Sequence, residues 1–172
     1  MRCRRCTERI SDHDNYCRRC GIRTRPVPNG STAHEGASAL PYVLIFRDER
    51  LTGEMYVTKF EMEGFSARWI QLPPRDIVEF VRREQPDVIC MDVLMQGMDG
   101  FTATKLLKQD PRTRYIPLFF LTNLGLKEDI EKGLALGADE YLVAAATMPD
   151  DVVAVARRLI LQAKESSLPR SR

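Results

Sequence analysis

The stretch PDVICMDVLMQGMDGF, residues 86–101, decides the fold, because an apolar run inside it ends at once in an acid. Residues 87–92 have the pattern of a short strand that is buried on both faces and closes at Asp92. Residues 100–109 then have the pattern of a helix that stops before Pro111. A buried strand, a carboxylate at its end and a helix after it form the repeating unit of a parallel α/β sheet.

The same alternation of strand and helix patterns extends on both sides, over residues 41–165. Further strands are predicted at 43–46, 66–72, 116–121 and 141–144. Further helices are predicted at 52–63, from Pro73-Pro74 onward, at 127–136, and from a capping box at 147–150 to about residue 163. Five such units predict an α/β fold, a five-stranded parallel sheet doubly wound with five helices, and residues 166–172 are predicted to be a disordered tail.

Parallel sheets carry their functional groups at the carboxyl ends of the strands. At those positions the sequence has Arg47 and Asp48 after the first strand, Asp92 after the third, Thr122 after the fourth and Ala144 after the fifth. The carboxyl edge of the sheet is therefore the candidate site.

Residues 41 to about 164 resemble a response-regulator receiver domain, on the segments VLIFRDE, PDVICMDVLMQGMDGF, IPLFFLTN and LGADEYLVAA. The resemblance implies the flavodoxin-like receiver fold and a pocket in which an aspartate accepts a phosphoryl group beside Mg²⁺. Residue by residue, it implies Asp92 as the phospho-acceptor, Asp48, Asp92 and the Leu94 carbonyl as magnesium ligands, Thr122 as the oxygen-binding switch residue, and Tyr141 as a second switch residue.

Three positions depart from the family pattern. Arg47 stands where the family has the first of two acids, Ala144 stands where it has a lysine, and Gln96 replaces a proline. Relative to the family pattern, the pocket lacks one carboxylate and has the fixed cation Arg47 in its place. Mg²⁺ binding is therefore expected to be weaker. Arg47 could turn inward and pair with Asp92, as a cation relocated from the lysine position; the alternative is a solvent-facing arginine.

A second, basic segment precedes this domain. Residues 1–25 contain eight arginines and two cysteine pairs whose spacing suits one tetrahedral Zn²⁺ held by four thiolates. The predicted zinc ligands are Cys3, Cys6, Cys17 and Cys20. Residues 3–21 resemble a zinc ribbon. Two disulfides are the alternative for these cysteines, and residues 26–40, rich in Pro, Gly, Ser and Ala, are predicted to be a flexible linker.

These features favour three functions. The first is a pseudo-receiver with an impaired phosphorylation pocket, which binds a histidine kinase or a downstream effector through the fourth helix, fifth strand and last helix. The second is a working single-domain response regulator that accepts phosphate on Asp92. The third is receiver-regulated nucleic-acid binding through the basic ribbon. The sequence does not decide between a monomer and a homodimer.

No enzyme is expected, because the sequence has neither a Ser-His-Asp set nor a P-loop pattern. No run approaches the roughly 18 apolar residues that a membrane span needs. A cytoplasmic signalling protein with structural zinc and no membrane contact is therefore expected.

Overall fold

The computed structural model describes residues 40–167. The predicted zinc ribbon, all of the predicted linker except Leu40, and residues 168–172 of the predicted tail lie outside the described residues. The four predicted zinc ligands therefore stay predictions; they are Cys3, Cys6, Cys17 and Cys20. Within residues 40–167 no helix is long and apolar enough to cross a bilayer.

The described part is one parallel sheet wrapped by helices. The strands are β1 Tyr42–Phe46, β2 Ser66–Ile70, β3 Val88–Met91, β4 Leu118–Thr122 and β5 Glu140–Val143. The helices are α1 Arg50–Met62, α2 Ile77–Glu84, α3 Gly100–Gln109, α4 Lys127–Ala135 and α5 Pro149–Ser167. All pairings are parallel, in the order β2-β1-β3-β4-β5, and the predicted fold class is confirmed.

The three inner strands, β1, β3 and β4, are apolar on both sides because helices cover both faces of the sheet. In β1, Leu44 and Phe46 join the apolar cluster on one face, whereas Val43 and Ile45 join the cluster on the other. β3 lies at the centre of the sheet and is fully buried. The residue that follows β3 is consequently held between two neighbouring strand ends.

Several element ends differ from the predicted ones, and capping explains two of them. α2 begins at Ile77 rather than at the two prolines, because the Asp76 carboxylate accepts a hydrogen bond from the Glu79 N–H (3.0 Å) and caps the helix there. At α5, the Asp151 carboxylate accepts from the Met148 N–H (3.3 Å), one residue later than the predicted capping box.

The other differences are small. Ala144 does not end β5 but opens a short 3₁₀ turn, Ala144–Ala146. α5 continues to Ser167, two residues beyond the predicted end of the domain at 165.

Two buried threonines offer a matched test of packing. The Thr104 hydroxyl has no hydrogen-bond partner within residues 40–167, whereas the Thr113 hydroxyl donates to the Leu107 carbonyl oxygen (2.8 Å). Thr104→Val should therefore raise the free energy of unfolding by about 1 kcal/mol, and Thr113→Val should lower it by about 1 kcal/mol. Urea unfolding followed by circular dichroism measures both, and equal losses in the two variants would contradict the expectation.

Candidate functional site

The site is built around the end of β3. The Asp92 N–H donates to the Phe46 carbonyl oxygen (2.9 Å), which ties the acid to the end of β1. Gly100 begins α3 directly against this turn, where an added Cβ would lie 2.1 Å from the Asp92 carbonyl oxygen. Only glycine fits there, so the close approach of α3 fixes the backbone that carries Asp92.

Arg47 is turned inward and is only 5% exposed. Its Nε donates to Thr52 Oγ1 (2.8 Å) in the first turn of α1, and its Nη1 donates to the Leu121 carbonyl oxygen (3.2 Å) in β4. The guanidinium carbon lies 5.9 Å from the centroid of the Tyr56 ring. These contacts hold the cation beneath the end of β3, which is the inward arrangement and not the solvent-facing one.

The remaining guanidinium nitrogen faces the acid. Arg47 Nη2 lies 3.8 Å from Asp92 Oδ2, and the Asp92 side chain is 12% exposed. This separation is too long for a hydrogen bond but brings two opposite charges together where little water reaches them. The other carboxylate oxygen, Oδ1, accepts from the Leu94 N–H (3.2 Å). Asp92 is therefore charge-compensated from inside the protein.

The main chain of Arg47 is fixed as well. Trp69, the single tryptophan of the chain, donates from Nε1 to the Arg47 carbonyl oxygen (2.7 Å). Its ring packs against Gly53 of α1, where an added Cβ would lie 2.4 Å from Nε1. The fluorescence of the Trp69 indole should therefore respond to changes in the backbone of the site.

The two predicted magnesium ligands beside Asp92 have different surroundings. Asp48 is half-buried, and its carbonyl oxygen accepts from Gln71 Nε2 (3.1 Å). Leu94, the predicted carbonyl ligand, has a side chain 59% exposed. Within residues 40–167 no three His, Cys, Asp or Glu residues cluster in a way that could hold a metal ion.

Ala144 occupies the position where the family has its lysine. It is partly buried against the apolar cluster that also contains Tyr56 and Leu121. Those two residues are also contacts of the Arg47 guanidinium. The cation therefore reaches the same side of the sheet from β1 that a lysine after β5 would approach.

Thr122 and Tyr141 meet at the loop after β4. Thr122 is fully buried, and its Oγ1 accepts a long hydrogen bond from the Leu124 N–H (3.4 Å). The Tyr141 hydroxyl donates to the Leu124 carbonyl oxygen (2.9 Å), and the ring is only 8% exposed. Burial raises the pKa of Tyr141 to about 12, with smaller contributions from the charges of Asp129 and Asp92. Both predicted switch residues, Thr122 and Tyr141, thus form hydrogen bonds with the backbone of Leu124.

The inward position of Tyr141 depends on a glycine in α4. An added Cβ on Gly133 would lie 2.7 Å from the Tyr141 ring and 3.0 Å from the Phe120 ring. Gly133 is also the one buried residue of α4. The position of α4 is therefore coupled to the Tyr141 ring.

Cys90 lies on the same side of the sheet as Arg47 and is buried in the core. Burial raises the pKa of its thiol to about 12, although the Arg47 charge acts in the opposite direction. The thiol is therefore protonated at neutral pH, and Cys90 belongs to the core.

Sequence reasoning identified Arg47, Asp92, Thr122 and Tyr141 but missed the residues that support them. Thr52, Trp69 and the Leu121 carbonyl hold Arg47 in place. Thr52 gave a weak signal, because it lies one turn beyond Arg47 at the start of a predicted helix. Trp69 and Leu121 gave none, because their contacts join separate strands.

This geometry defines a class: a doubly wound parallel α/β domain with an acid after the central strand, a buried hydroxyl after β4 and an aromatic residue on β5. A family model described as the response regulator receiver domain matches residues 43–155. The chain therefore belongs to the response regulator receiver domain family, whose members act in two-component signalling.

Relatives of known name support this assignment. The chain is 39% identical over 111 residues to Response regulator PleD of Caulobacter vibrioides, a match that covers 64% of this chain and 21% of PleD. It is 32% identical over 119 residues to the DNA-binding dual master transcriptional regulator RpaA of Synechocystis, covering 66% and 45%. The matches thus span about a fifth and somewhat under half of those proteins.

Two solved structures have a fold similar to that of this chain. A putative response regulator from Chloroflexus aurantiacus superposes with a TM-score of 0.65 at 26% identity, covering 72% of this chain and 99% of that one. The signal receiver domain of a histidine kinase from Syntrophus aciditrophicus gives a TM-score of 0.63 at 28% identity, covering 77% and 95%.

Proposed function

We propose that this chain is a cytoplasmic pseudo-receiver, a protein-interaction module of two-component signalling that works without phosphorylation and is not an enzyme. One observation carries the proposal. The Arg47 guanidinium, buried where the family has an acid, lies 3.8 Å from the carboxylate of the expected phospho-acceptor Asp92. A resident cation supplies the charge compensation that a metal ion would otherwise bring.

The chemistry of the donor set supports weak Mg²⁺ binding. Mg²⁺ requires near-octahedral oxygen ligands and strong negative charge. The family pattern assigns Asp48, Asp92 and the Leu94 carbonyl as the oxygen ligands, and the fixed cation Arg47 lies 3.8 Å from one of them, Asp92. A divalent cation bound to the Asp92 carboxylate would be repelled by the guanidinium charge beside it, in a place where little water screens the two charges. These residues fit Mg²⁺ poorly.

The partner proposed for this module is a histidine kinase or a downstream effector, bound through α4, β5 and α5. Leu126 before α4 is 69% exposed and Leu134 on α4 is 44% exposed, so this face offers apolar contact area. The inner side of α4 rests on Tyr141, which links the face to the site. The alternative partner is a second copy of this chain, which would form a homodimer through the same face.

Magnesium titration tests the proposal. Because Trp69 is hydrogen-bonded to the backbone of Arg47, metal binding in the pocket should change its fluorescence. We expect no saturable change up to about 10 mM Mg²⁺, because the fixed cation opposes the charge of the metal and one carboxylate ligand is missing. Saturation below about 1 mM would contradict the proposal.

The phospho-accepting alternative has one observation in its favour. The Arg47 to Asp92 contact is an ion pair without a hydrogen bond, and one carboxylate oxygen of Asp92 has a neutral N–H donor. A strong phosphodonor could compete with such a pair.

We propose further that residues 1–25 form a zinc ribbon. The four thiolates of Cys3, Cys6, Cys17 and Cys20 would hold the metal, and the spacing of the two pairs supports this. Metal analysis of the purified chain should find about one equivalent of zinc, and Cys17→Ser should release it while the circular dichroism of the receiver domain stays unchanged. Zinc-free protein with two disulfides would contradict this expectation.

Nucleic-acid binding through this basic segment is the third function. Eight arginines support it, and RpaA, a relative through its receiver domain, is described as DNA-binding. Binding of this kind would weaken steeply as salt is raised. Absence of a salt-sensitive shift with DNA or RNA would exclude it.

A further inference from the structure

A groove lies at the amino ends of β3, β4 and β5, on the edge of the sheet opposite the Asp92 pocket, and runs beside α5. Its volume is about 670 Å³, within the range of small-molecule sites. Asp87 lines this groove just before β3, and Asp92 follows the same strand, about 16 Å further along an extended chain. This groove is here termed the amino-edge groove. Its apolar lining consists of five buried residues, Pro86, Ile116, Pro117, Leu159 and Ile160.

Hydrogen bonds fix the walls of the amino-edge groove. Lys108 Nζ, at the end of α3, donates to the Ile116 carbonyl oxygen (2.9 Å) and to Asp139 Oδ2 (3.0 Å). The same carboxylate oxygen accepts from the Leu118 N–H (2.8 Å). These bonds join α3, the segment before β4 and the segment before β5. The groove is therefore preformed, as small-molecule sites usually are.

Three side chains that line the groove have no partner within residues 40–167. The side chains of Arg114 and Lys164 form no ion pair or hydrogen bond there, and the Tyr115 hydroxyl forms no hydrogen bond. Tyr115 is 70% exposed. All three side chains are hydrogen-bond donors, and two of them are cations. The groove thus offers unpaired donors and positive charge to an anion.

The charge at this edge differs from that of the rest of the domain. Residues 40–167 contain 16 basic and 20 acidic residues, whereas residues 105–115, KLLKQDPRTRY, contain four basic residues and one acid. The second acid of the lining, Asp87, is already engaged, because its Oδ2 accepts from the Tyr42 N–H (2.7 Å). An anion should therefore be attracted to this edge of an otherwise acidic domain.

The groups in the groove match the parts of a nucleotide. Arg114 and Lys164 can donate charge-assisted hydrogen bonds to a phosphate. The exposed Tyr115 ring offers a face on which a base can stack. Asp139 Oδ1 has no hydrogen bond from any residue that the structure describes, so it can accept from an N–H of the base. An acidic peptide would use the cations but would need neither the ring nor the carboxylate.

We propose that the amino-edge groove binds a free nucleotide, with its phosphate at Arg114 and Lys164 and its base on the Tyr115 ring. The site lies on the opposite edge of the sheet from the Asp92 pocket. The inference therefore goes beyond the proposed function and does not depend on whether Asp92 accepts phosphate.

The test is an amide NMR titration of the full chain with adenosine and guanosine 5′-monophosphate. It is done at about 50 mM salt, where charges are weakly screened. We expect saturable shifts with a Kd below about 1 mM for at least one of the two nucleotides. The signals of residues 114–116 and 139 should move, whereas those of Asp92 and Thr122 should stay in place.

Two matched comparisons assign the contacts. Tyr115→Leu should bind the nucleotide at least about fivefold more weakly, because it loses the stacking face, whereas Tyr115→Phe keeps the ring and should bind like the natural chain. The double variant Arg114→Gln, Lys164→Gln should bind at least about tenfold more weakly, because it loses the charged donors. Lys105→Gln removes an exposed cation of the same basic run outside the groove and should leave binding unchanged. Circular dichroism checks that each variant is folded.

Comparisons between ligands need no variant. Adenosine, which lacks the phosphate, and inorganic phosphate, which lacks the base, should each bind at least about tenfold more weakly than the nucleotide. Equal binding of inorganic phosphate would overturn the proposal, because the groove would then be a simple anion site.

Other results would also overturn it. They are the absence of saturable shifts up to about 10 mM nucleotide, and equal binding by the Tyr115→Leu and Tyr115→Phe variants. A single-stranded oligonucleotide that binds at least about a hundredfold more tightly than the nucleotide would assign the groove to nucleic acid instead. A glutamate-rich peptide that shifts the same signals and displaces the nucleotide at lower concentration would assign it to an acidic protein.

Discussion

The paired replacement Arg47→Asp with Ala144→Lys should give the domain a response to Mg²⁺ and beryllofluoride that the natural chain lacks. Beryllofluoride mimics a phosphoryl group on an aspartate, and it needs a metal ion beside that carboxylate. The replacement removes the cation that lies 3.8 Å from Asp92, adds a third carboxylate, and returns a cation to the end of β5. We expect Mg²⁺ affinity to rise at least about tenfold.

Amide NMR of the chain measures this response. In the variant, beryllofluoride should shift the signals of Asp92, Thr122 and Tyr141, because the last two share contacts with the Leu124 backbone. Adding Asp92→Ala to the variant should abolish the shifts and serves as the control. Shifts of the same size in the natural chain would show a live phospho-switch and would refute the pseudo-receiver.

Each single replacement shows what one member of the pair contributes to the response. Arg47→Asp alone leaves three carboxylates without a cation, which should bind Mg²⁺ but hold a phosphoryl analogue poorly. Ala144→Lys alone places two cations around Asp92 and should leave the chain silent. A response of the Ala144→Lys variant would mean that Arg47 does not block the pocket.

The topology was predictable from sequence for a specific physical reason. Three of the five strands, β1, β3 and β4, are short apolar runs buried on both faces, and every strand is followed by a segment with helical spacing. Short, right-handed connections between such units then leave few arrangements of the sheet. The pattern placed Asp92 after the third strand, and the structure shows that this strand is the central one.

The direction of the Arg47 side chain was not predictable in the same way. Sequence placed it at the end of β1 but left two orientations open, because the deciding contacts come from α1 and β4. The prediction that α2 starts at Pro73-Pro74 was wrong for a related reason, since the helix begins at Ile77. A side-chain cap by Asp76, a few residues further on, sets the first turn more strongly than proline does.

Asp92→Asn should destabilise the domain by about 1–3 kcal/mol, which is less than the roughly 3–5 kcal/mol lost when a fully buried pair is broken. In a pocket of several carboxylates, loss of one acid relieves repulsion between like charges and tends to stabilise the fold. Here the neutral side chain leaves Arg47, which is 5% exposed, without its counter-charge. The 3.8 Å separation and the partial exposure of Asp92 keep the loss small for a buried pair. Urea unfolding measures the change.

A double-mutant cycle with Arg47→Met isolates the pair from the other contacts of the arginine. Arg47→Met also removes the hydrogen bonds to Thr52 and to the Leu121 carbonyl, so its own loss exceeds the pairwise energy. The coupling between Arg47→Met and Asp92→Asn should be about 1–2 kcal/mol and should persist at about 1 M salt, because a buried pair is weakly screened.

The exposed pair Arg50 and Glu54 is the matched control for the cycle. Its side chains are 72% and 51% exposed, so its coupling should stay below about 0.5 kcal/mol and disappear in salt. A coupling near zero for Arg47 and Asp92 would mean that the guanidinium is held by Thr52 and Leu121 alone. The acid would then be free to accept another charge, and the case for a pocket occupied by its own cation would fail even if beryllofluoride left the natural chain unchanged.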